Sequence, residues 1–296
     1  MSPISSMLLT GASGLLGLRL QKILARHCKI YAVVRAMPTE VVDSVEYIVA
    51  DLAGELNVRS LPSQIDAVVH LAQALDARSF PAGAREIFMI NAGTTASLLD
   101  YAYKAGARSF VLASTGGLYS KSSLPLNEGS PIIEGDGPLS FYFASKRCAE
   151  VIAQQYSPFL NTTIIRPFFM YGPGQRSGML IPRLIDNIKT GTAITLRGGE
   201  GATINPIFVD DAADAVVEIL QCEAPFHIIN LAGPEKVTIR QIAEQIGRLI
   251  NRTPIFQLEQ GSADEFLADV SLINGLLKKP MRSVALGLRD TIGQVG

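Results

Sequence analysis

The segment that decides the fold is Leu8-Leu-Thr-Gly-Ala-Ser-Gly-Leu-Leu-Gly17. Its first residues are apolar, as in a buried strand, and Gly11, Gly14 and Gly17 then recur every third residue where a helical pattern begins. In a strand–turn–helix unit these glycines allow a tight turn, a close approach of the backbone to a pyrophosphate, and close packing of helix on strand. The N–H groups at the start of the helix would face the phosphates. The segment therefore predicts a dinucleotide-binding turn, with contacts from Gly11, Ser13, Gly14, Leu15 and Gly17.

Short apolar runs alternate with helical patterns through the first half of the chain. The helical stretches Leu15–Arg26 and Glu86–Ala105 separate runs that are too apolar to expose either face. Strands buried on both faces and spaced by helices form βαβ units in a parallel sheet. We therefore predict an α/β fold with a Rossmann-type doubly wound parallel sheet. The predicted strands are Met7–Thr10, Lys29–Val34, Val45–Ala50, Ala67–Leu71, Ser109–Ala113 and Thr162–Ile165.

The pattern changes after Arg166. Helices are predicted at Ile181–Lys189 and Asp210–Leu220 and a strand at Phe226–Leu231, while Thr238-Ile-Arg-Gln241 is a capping box that opens a helix to about Ile250. We expect a smaller mixed α/β substrate lobe in this part of the chain. The predicted domains are a dinucleotide-binding domain of residues 1–166 plus about 205–232, and a substrate lobe of residues 167–204 and 233–296.

Composition excludes several classes of partner. Twenty-six basic and 27 acidic residues give the 296-residue chain a net charge of −1, so no basic excess indicates nucleic acid or an anionic membrane. The three cysteines have no metal-ligand spacing such as Cys-x-x-Cys, and we predict no metal site. So few cysteines fit a reducing, cytoplasmic setting. We expect the partner to be a small-molecule substrate.

The residue after the second predicted strand bears on the choice of dinucleotide. A carboxylate there would hold the ribose hydroxyls of NAD, whereas an arginine suits the 2′-phosphate of NADP. Here the residue is Arg35, and no acidic residue follows before Glu40. This favours NADP(H), with NAD(H) as the alternative if Arg35 is only a solvated charge. Asp51 and Leu52, after the third strand, would flank the adenine or form a plain turn.

Two residues four apart on a predicted helix suggest acid–base chemistry. Tyr142 and Lys146, in Tyr142-Phe-Ala-Ser-Lys146, would project from one face. A nearby ammonium favours the phenolate and lowers the pKa of a tyrosine. The alternative is an unrelated pair on a surface helix. The strand before them ends in Ser114-Thr115, and strand alternation lets only one of these hydroxyls point towards a substrate beside Tyr142.

These motifs are joined by others along nearly the whole chain. They comprise Thr10-Gly-Ala-Ser-Gly-Leu-Leu-Gly17, Asp51-Leu52, His70-Leu-Ala72, Asn91-Ala-Gly-Thr94, Ser114-Thr115, Tyr142-x-x-x-Lys146, Arg166-Pro-Phe168, Tyr171-Gly-Pro-Gly174 and Val209-Asp-Asp211. Taken together, they resemble the extended short-chain dehydrogenase/reductase family, within its NAD-dependent epimerase/dehydratase group. Many members of the family are dimers built through a helical bundle, so the resemblance implies a homodimer as one form of this chain.

The resemblance also implies roles for single residues. Tyr142 would be the acid/base, Lys146 would bind the nicotinamide ribose and tune Tyr142, and Thr115 would polarise the substrate oxygen. Asp51 and Leu52 would contact adenine. The resemblance also implies Leu71, Ala72 and Asn91 in the cofactor cleft, where we further expect Pro167. We expect Ser114, Thr115, Phe169 and Arg176 near the substrate.

Two substrate-side positions depart from the family pattern. Sugar epimerases of the group often have an asparagine where this chain has Phe169, and an arginine where it has Ile204; both contact substrate phosphates. Losing the arginine removes a bidentate phosphate ligand. Replacements would have to come from arginines for which solvated surface charges are the simpler interpretation, namely Arg176, Arg183, Arg197 and Arg289.

The sequence therefore predicts an NAD(P)-dependent oxidoreductase or epimerase that acts on a hydroxyl or keto carbon of a sugar, with a nucleotide-linked sugar favoured. Arg35 favours net reduction with NADPH, and an epimerase that recycles hydride on bound NAD is the alternative. Dehydratases of the group add a carboxylate pair after the catalytic threonine, but Gly116-Gly117 follows Thr115 here. A third hypothesis, a regulator that senses NADP without turnover, fits poorly with an intact Tyr142 and Lys146.

Overall fold

A computed structural model describes residues 4–132, 137–222 and 226–293. The chain folds as two compact units, each assembled from three separate stretches. Unit 1 comprises Met1–Leu118, Ile132–Arg166 and Ala213–Ile229, and unit 2 comprises Tyr119–Pro131, Pro167–Ala212 and Asn230–Gly296.

The strands fall into one large sheet and several two- or three-stranded pieces. Their bounds are β1 Ser6–Thr10, β2 Lys29–Val34, β3 Val45–Val49, β4 Ala67–His70, β5 Ser109–Ala113, β6 Asn161–Pro167, β7 Met170–Tyr171, β8 Ile194–Arg197, β9 Thr203–Ile204, β10 Ile207–Phe208, β11 Phe226–Leu231, β12 Val237–Thr238, β13 Phe256–Glu259 and β14 Glu265–Phe266.

The helices separate the strands of the large sheet and continue to the C-terminal end of the described chain. Their bounds are α1 Leu15–Leu24, α2 Ala84–Phe88, α3 Thr94–Lys104, α4 Ser140–Gln155, α5 Leu180–Thr190, α6 Val209–Ile219, α7 Ile239–Ile250, α8 Ser271–Leu276 and α9 Val284–Gly293.

The large sheet has seven strands in the order β11-β6-β5-β4-β1-β2-β3. Pairings among β1 to β6 are all parallel, with Thr10 opposite His70 and His70 opposite Leu112. The order changes direction at β1, which is the topological switch point where ligands bind in such sheets. The predicted Rossmann-type fold is confirmed, and β2 and β5 have the predicted bounds.

The core of unit 1 forms because its strands are apolar on both faces. Leu8, Val68 and Phe110 are fully buried, since helices cover each side of the sheet. Burying one such side chain contributes roughly 1.5–3 kcal/mol relative to leaving it exposed. This packing fixes the carboxyl ends of the strands, where the candidate site lies.

The helical stretch predicted as Glu86–Ala105 is not one regular helix. It consists of α2, a π-helical turn over Met89–Gly93, and α3. Hydrophobic periodicity does not reveal a π turn, because the extra residue shifts the pattern only locally. The turn carries Asn91 and is therefore part of the candidate site. Helix α1 also ends earlier than predicted, at Leu24 instead of Arg26.

Unit 2 has its own apolar core under α5 and α7. Ile185, Ile242 and Ile246 are buried there. The predicted capping box is confirmed, because the Thr238 hydroxyl accepts from the Gln241 N–H at 3.1 Å and the Gln241 amide accepts from the Thr238 N–H at 2.9 Å. None of the described helices is long and apolar enough to cross a membrane.

Candidate active site

The glycine-rich turn is packed against the end of β4. Gly11 has φ +67°, and a Cβ atom on it would lie 2.7 Å from both the Ala72 nitrogen and the Leu71 carbonyl carbon. A Cβ on Gly17 would lie 2.3 Å from the Gly11 oxygen. Both distances are below any normal contact with backbone atoms, so a side chain at Gly11 would push the turn away from β4, and a side chain at Gly17 would push α1 away from the turn.

The start of α1 is open to an anion. Gly14 is the N-cap and supplies no side-chain cap, and within the described residues no other side chain caps this end of the helix. Helix N-termini with uncapped N–H groups bind phosphate. Ser13 is exposed and Leu15 is half-buried. The turn therefore fits the pyrophosphate of a dinucleotide.

The residues predicted at the adenosine end lie after β2 and β3. Arg35 follows β2 and is exposed, and its side chain has no hydrogen bond or ion pair with the described residues. Asp51 accepts from the Ala53 N–H at 3.0 Å, so its carboxylate also shapes a turn. Leu52 is buried, and its carbonyl accepts from the Thr94 hydroxyl at 2.9 Å.

Tyr142 lies in the first turn of α4 and is 9% exposed. Its hydroxyl donates to Gln73 Oε1 at 2.8 Å. Burial raises its pKa well above the ordinary value for tyrosine, and a hydrogen bond with the Thr115 hydroxyl acts in the opposite direction. As the structure stands, Tyr142 is a neutral proton donor with two polar partners.

Lys146 lies one helical turn beyond Tyr142 and is 1% exposed. Its Nζ donates to the Ala113 carbonyl at the end of β5, at 2.8 Å. Burial lowers its pKa to about 7, and the Glu150 carboxylate one turn further on opposes that shift. Glu150 in turn binds Arg166 of β6 at 2.7 and 2.8 Å.

Of the two hydroxyls after β5, Thr115 is the one beside Tyr142. Its Oγ1 accepts from the Gly117 N–H at 3.1 Å, which leaves the O–H proton free to face Tyr142 or a substrate. Ser114 is buried, and its Oγ has no hydrogen-bond partner among the described residues. A Cβ at Gly117 would lie 2.6 Å from the Phe143 ring, so a carboxylate there would displace Phe143.

Asn91 connects the loop after β4 to α4. Its Oδ1 accepts from the Ala74 N–H at 3.1 Å, and its Nδ2 donates to Ser145 Oγ at 2.9 Å. Ser145 Oγ donates to the Tyr142 carbonyl at 2.7 Å. The Asn91 side chain is therefore already engaged with protein on both of its polar ends.

Sequence reasoning missed three residues at this site, Gln73, Ser145 and Glu150, and assigned no role to Arg166 of the motif Arg166-Pro-Phe168. Glu150 follows Lys146 by four residues on α4, so helical spacing alone would have placed it on the same face. Nothing in the sequence pairs Glu150 with Arg166, because that contact depends on where β6 lies in the sheet.

The remaining predicted residues lie in unit 2. Pro167 is the last residue of β6 and is half-buried, and Arg176 is exposed. The Phe169 ring meets Phe266 edge-on, with centroids 5.9 Å apart. Ile204 is fully buried on β9. Neither Phe169 nor Ile204 has a group that binds phosphate.

Comparison with known proteins agrees with this arrangement. A model of the NAD dependent epimerase/dehydratase family matches residues 7–232. The chain is 30% identical to UDP-glucuronate 4-epimerase of Thermodesulfobacterium geofontis (strain OPF15) over 235 residues, covering 77% of this chain and 72% of that protein. It is 26% identical to dTDP-4-dehydro-6-deoxy-D-allose reductase of Streptomyces bikiniensis, covering 97% of this chain and 94% of that protein.

A solved structure shares the fold over almost the full length. MoeE5 in complex with UDP-glucuronic acid and NAD superposes with a TM-score of 0.84 at 25% identity, covering 98% of this chain and 99% of that one.

Proposed function

Because the chain belongs to the NAD-dependent epimerase/dehydratase family, we propose that it transfers a hydride between a nicotinamide dinucleotide and a hydroxyl- or keto-bearing carbon of a nucleotide-linked sugar. Membership makes the chain an enzyme of the short-chain dehydrogenase/reductase type. The observation that carries the proposal is the buried Tyr142 hydroxyl beside Thr115, with Lys146 one turn away on α4.

Tyr142 is the proposed acid/base. The bound dinucleotide supplies the hydride donor or acceptor. As a substrate carbonyl carbon receives hydride, its oxygen takes the phenolic proton of Tyr142, and in the oxidative direction the phenolate takes a proton from the substrate hydroxyl. The Thr115 O–H donates to the same substrate oxygen, since Gly117 already occupies an acceptor site of that hydroxyl.

Lys146 is the proposed partner of the nicotinamide ribose and of Tyr142. Burial lowers its pKa to about 7, and the Glu150 carboxylate opposes that shift by favouring the ammonium. The ammonium form favours the phenolate of Tyr142, which burial otherwise disfavours. The hydrogen bonds between Glu150 of α4 and Arg166 of β6 hold the helix against the strand, and they thereby fix the position of Lys146 on α4.

We propose that the reaction is net reduction of a keto-sugar. The reductase relative aligns with nearly the whole chain, which supports this choice. Two features argue against a dehydratase. The residues after Thr115 are Gly116 and Gly117 and not carboxylates, and the Phe143 ring occupies the space that a side chain at Gly117 would need.

The experiment that tests the proposal follows NADPH oxidation at 340 nm with three substrates: a dTDP-4-dehydro-6-deoxysugar, UDP-glucuronic acid and cyclohexanone. We expect turnover with the keto-sugar, and a fall in kcat on the order of 10²–10⁴-fold in Tyr142→Phe. Tyr103→Phe, on an exposed part of α3, is the matched control and should retain full activity. Full activity of Tyr142→Phe would overturn the acid/base assignment.

The panel also examines how the substrate phosphates are held. With Phe169 and Ile204 at the two positions described above, the exposed Arg176 is the proposed phosphate ligand on unit 2. We expect Arg176→Ala to raise KM for the nucleotide-linked ketone about tenfold and to leave KM for cyclohexanone unchanged. Equal use of both ketones by the wild type would argue that the phosphates are not recognised.

We propose that Arg35 gives the cofactor site a preference for NADP(H). Its exposed guanidinium, with no partner among the described residues, is available for a 2′-phosphate. We expect Arg35→Ala to weaken NADPH binding about tenfold and NADH binding by less than twofold, measured by fluorescence titration. Arg59→Ala, at another exposed arginine, is the control. Equal binding of NADH and NADPH by the wild type would contradict the preference.

The alternative function is an epimerase that keeps NAD bound. It is favoured by the relative and the solved structure, since one is named a UDP-glucuronate 4-epimerase and the other was solved with NAD. Native mass spectrometry of the purified protein separates the two functions. Retained NAD together with conversion of UDP-glucuronic acid without net NADH formation would support the epimerase, and an empty site would support the reductase.

A further inference from the structure

The hydrogen bond between Tyr142 and Gln73 takes no part in the proposed proton transfer. The Tyr142 hydroxyl donates to the side-chain amide of Gln73, which lies three residues past the end of β4. Gln73 itself is exposed, and its side chain has no other hydrogen bond among the described residues. Burial therefore does not force the amide into this position, and the hydroxyl of Tyr142 is its one specific partner in that part of the chain.

The position of Gln73 relative to Tyr142 is built into the backbone. The next residue, Ala74, donates its N–H to Asn91. Asn91 donates to Ser145, and Ser145 donates back to the carbonyl of Tyr142. These three hydrogen bonds connect Ala74, the neighbour of Gln73, to Tyr142. They run through the buried side chains of Asn91 and Ser145.

The hydrogen-bonding needs of the Tyr142 oxygen change when it loses its proton, and the amide of Gln73 can meet both needs. When the substrate oxygen takes the proton of Tyr142, the O–H bond breaks and the phenolate is left with no proton to donate to Gln73 Oε1. A phenolate instead requires donors. Rotation about the terminal torsion of glutamine is easy, because its energy profile is broad and nearly two-fold. A half turn places Nε2 where Oε1 was, beside the Tyr142 oxygen.

We propose that Gln73 is a positioning residue for the proton transfer, with an amide that accepts from the Tyr142 phenol through Oε1 and donates to the Tyr142 phenolate through Nε2. The inference rests on the proposed function, since it requires Tyr142 to change protonation state. Thr115 can supply only one donor, and the Lys146 ammonium, one of whose three protons is bonded to the Ala113 carbonyl, stabilises the phenolate by its charge. Gln73 adds the second neutral donor to the phenolate.

The test compares two substitutions of matched size. Gln73→Met keeps the length and removes both hydrogen-bonding groups, and Gln73→Glu keeps the acceptor and removes the donor. Because Gln73 is exposed, neither change should affect folding by much. Gln154→Met, at an exposed glutamine of α4, is the control.

We expect Gln73→Met to lower kcat for the keto-sugar by about 10- to 100-fold, with KM within about threefold of the wild type. Gln73→Glu should lose at least as much, because its carboxylate opposes the phenolate charge. Gln154→Met should stay within twofold. In the Tyr142→Phe background, Gln73→Met should cost nothing further, because the amide acts through the phenol.

The outcomes separate this inference from the function on which it rests. If Tyr142→Phe is inactive while Gln73→Met keeps wild-type kcat, the positioning role is wrong and the proposed function stands. A higher kcat in Gln73→Met would also overturn it, since the amide would then compete with the substrate for the phenolic proton. Full activity of Tyr142→Phe would instead remove the proposed function.

A second measurement does not depend on turnover. In protein labelled with 3-fluorotyrosine, the ¹⁹F resonance that disappears in Tyr142→Phe reports on that ring. We expect Gln73→Met to shift this resonance and Gln154→Met to leave it in place. An unchanged resonance in Gln73→Met would show that the amide does not contact the phenol in solution, and the proposal would fall.

Discussion

Two groups of side chains, one in each unit, are held by different kinds of contact. In unit 1 the carboxyl ends of the strands bury a polar layer, in which His70 bonds to Thr10 at 2.6 Å and Glu150 bonds to Arg166. In unit 2 the Phe266 ring contacts Phe168 with centroids 5.2 Å apart.

The two kinds of contact differ in how well they tolerate substitution. A buried polar group requires a specific partner in a specific direction, whereas aromatic and aliphatic contacts depend mainly on volume. We therefore expect the proposed catalytic unit to resist conservative changes, and the aromatic cluster of unit 2 to accept them. Three experiments test this comparison.

The largest expected effect is that of Glu150→Gln. Arg166 is 1% exposed, and this change removes the charge of the buried carboxylate that accepts from its guanidinium at 2.7 and 2.8 Å. We expect the free energy of unfolding, measured by urea denaturation, to fall by about 3–5 kcal/mol. The control is Asp100→Asn, which removes the exposed pair with Lys104 and should cost less than about 1 kcal/mol. Similar losses in the two variants would contradict the idea of a strict polar layer.

The next effect is a pH dependence caused by His70. Burial, with a smaller contribution from the Lys146 charge, lowers the pKa of His70 to about 3 from the ordinary 6.5. Below pH 6.5 the unfolded chain therefore binds a proton that the folded chain does not, and stability falls as pH decreases towards 3.

Between pH 6.5 and 5 we expect this contribution to lower the unfolding free energy by about 1.6 kcal/mol. We expect His70→Asn to remove that part of the pH dependence, measured by urea denaturation at both pH values. His27→Asn, at an exposed histidine, should leave the dependence unchanged. The same slope in His70→Asn and the wild type would rule out His70 as the cause.

The smallest effect is expected in unit 2. Phe266→Leu keeps most of the volume of a half-buried side chain, and we expect it to lower the free energy of unfolding by less than about 1.5 kcal/mol. Phe266→Asp serves as the contrasting variant, because it places a charge among the rings of Phe168 and Phe169. A loss for Phe266→Leu as large as that for Glu150→Gln would erase the difference between the units.

Much of unit 1 could be predicted because its signals are local. The run Lys29–Val34 is apolar enough to be buried on both faces, and the glycines from Gly11 to Gly17 specify their turn by spacing alone. Tyr142 and Lys146 lie four residues apart on one helix, so their spacing alone predicts that they share a face. These features require no knowledge of where other strands lie.

The features that sequence reasoning missed depend on distant partners. β9 has only two residues and exists because it pairs with β12 and β14 from later in the chain. The π turn at Met89–Gly93 lets Asn91 reach both Ala74 and Ser145. Gln73 has no motif, and its contact with Tyr142 appears only once β4 and α4 are in place.

The interleaving of the two units also has a consequence for synthesis on the ribosome. Strands β1 to β6 are complete once residue 167 has emerged, yet the strand that covers β6, β11, comes only after the long unit 2 stretch Pro167–Ala212 and most of α6. Until then the nascent chain holds six parallel strands with the backbone of β6 unpaired at one edge. Unpaired edges recruit other strands. While residues 167 to 231 are translated, the edge at β6 is therefore open to other strands, and we expect a chaperone or rapid elongation to limit such pairing.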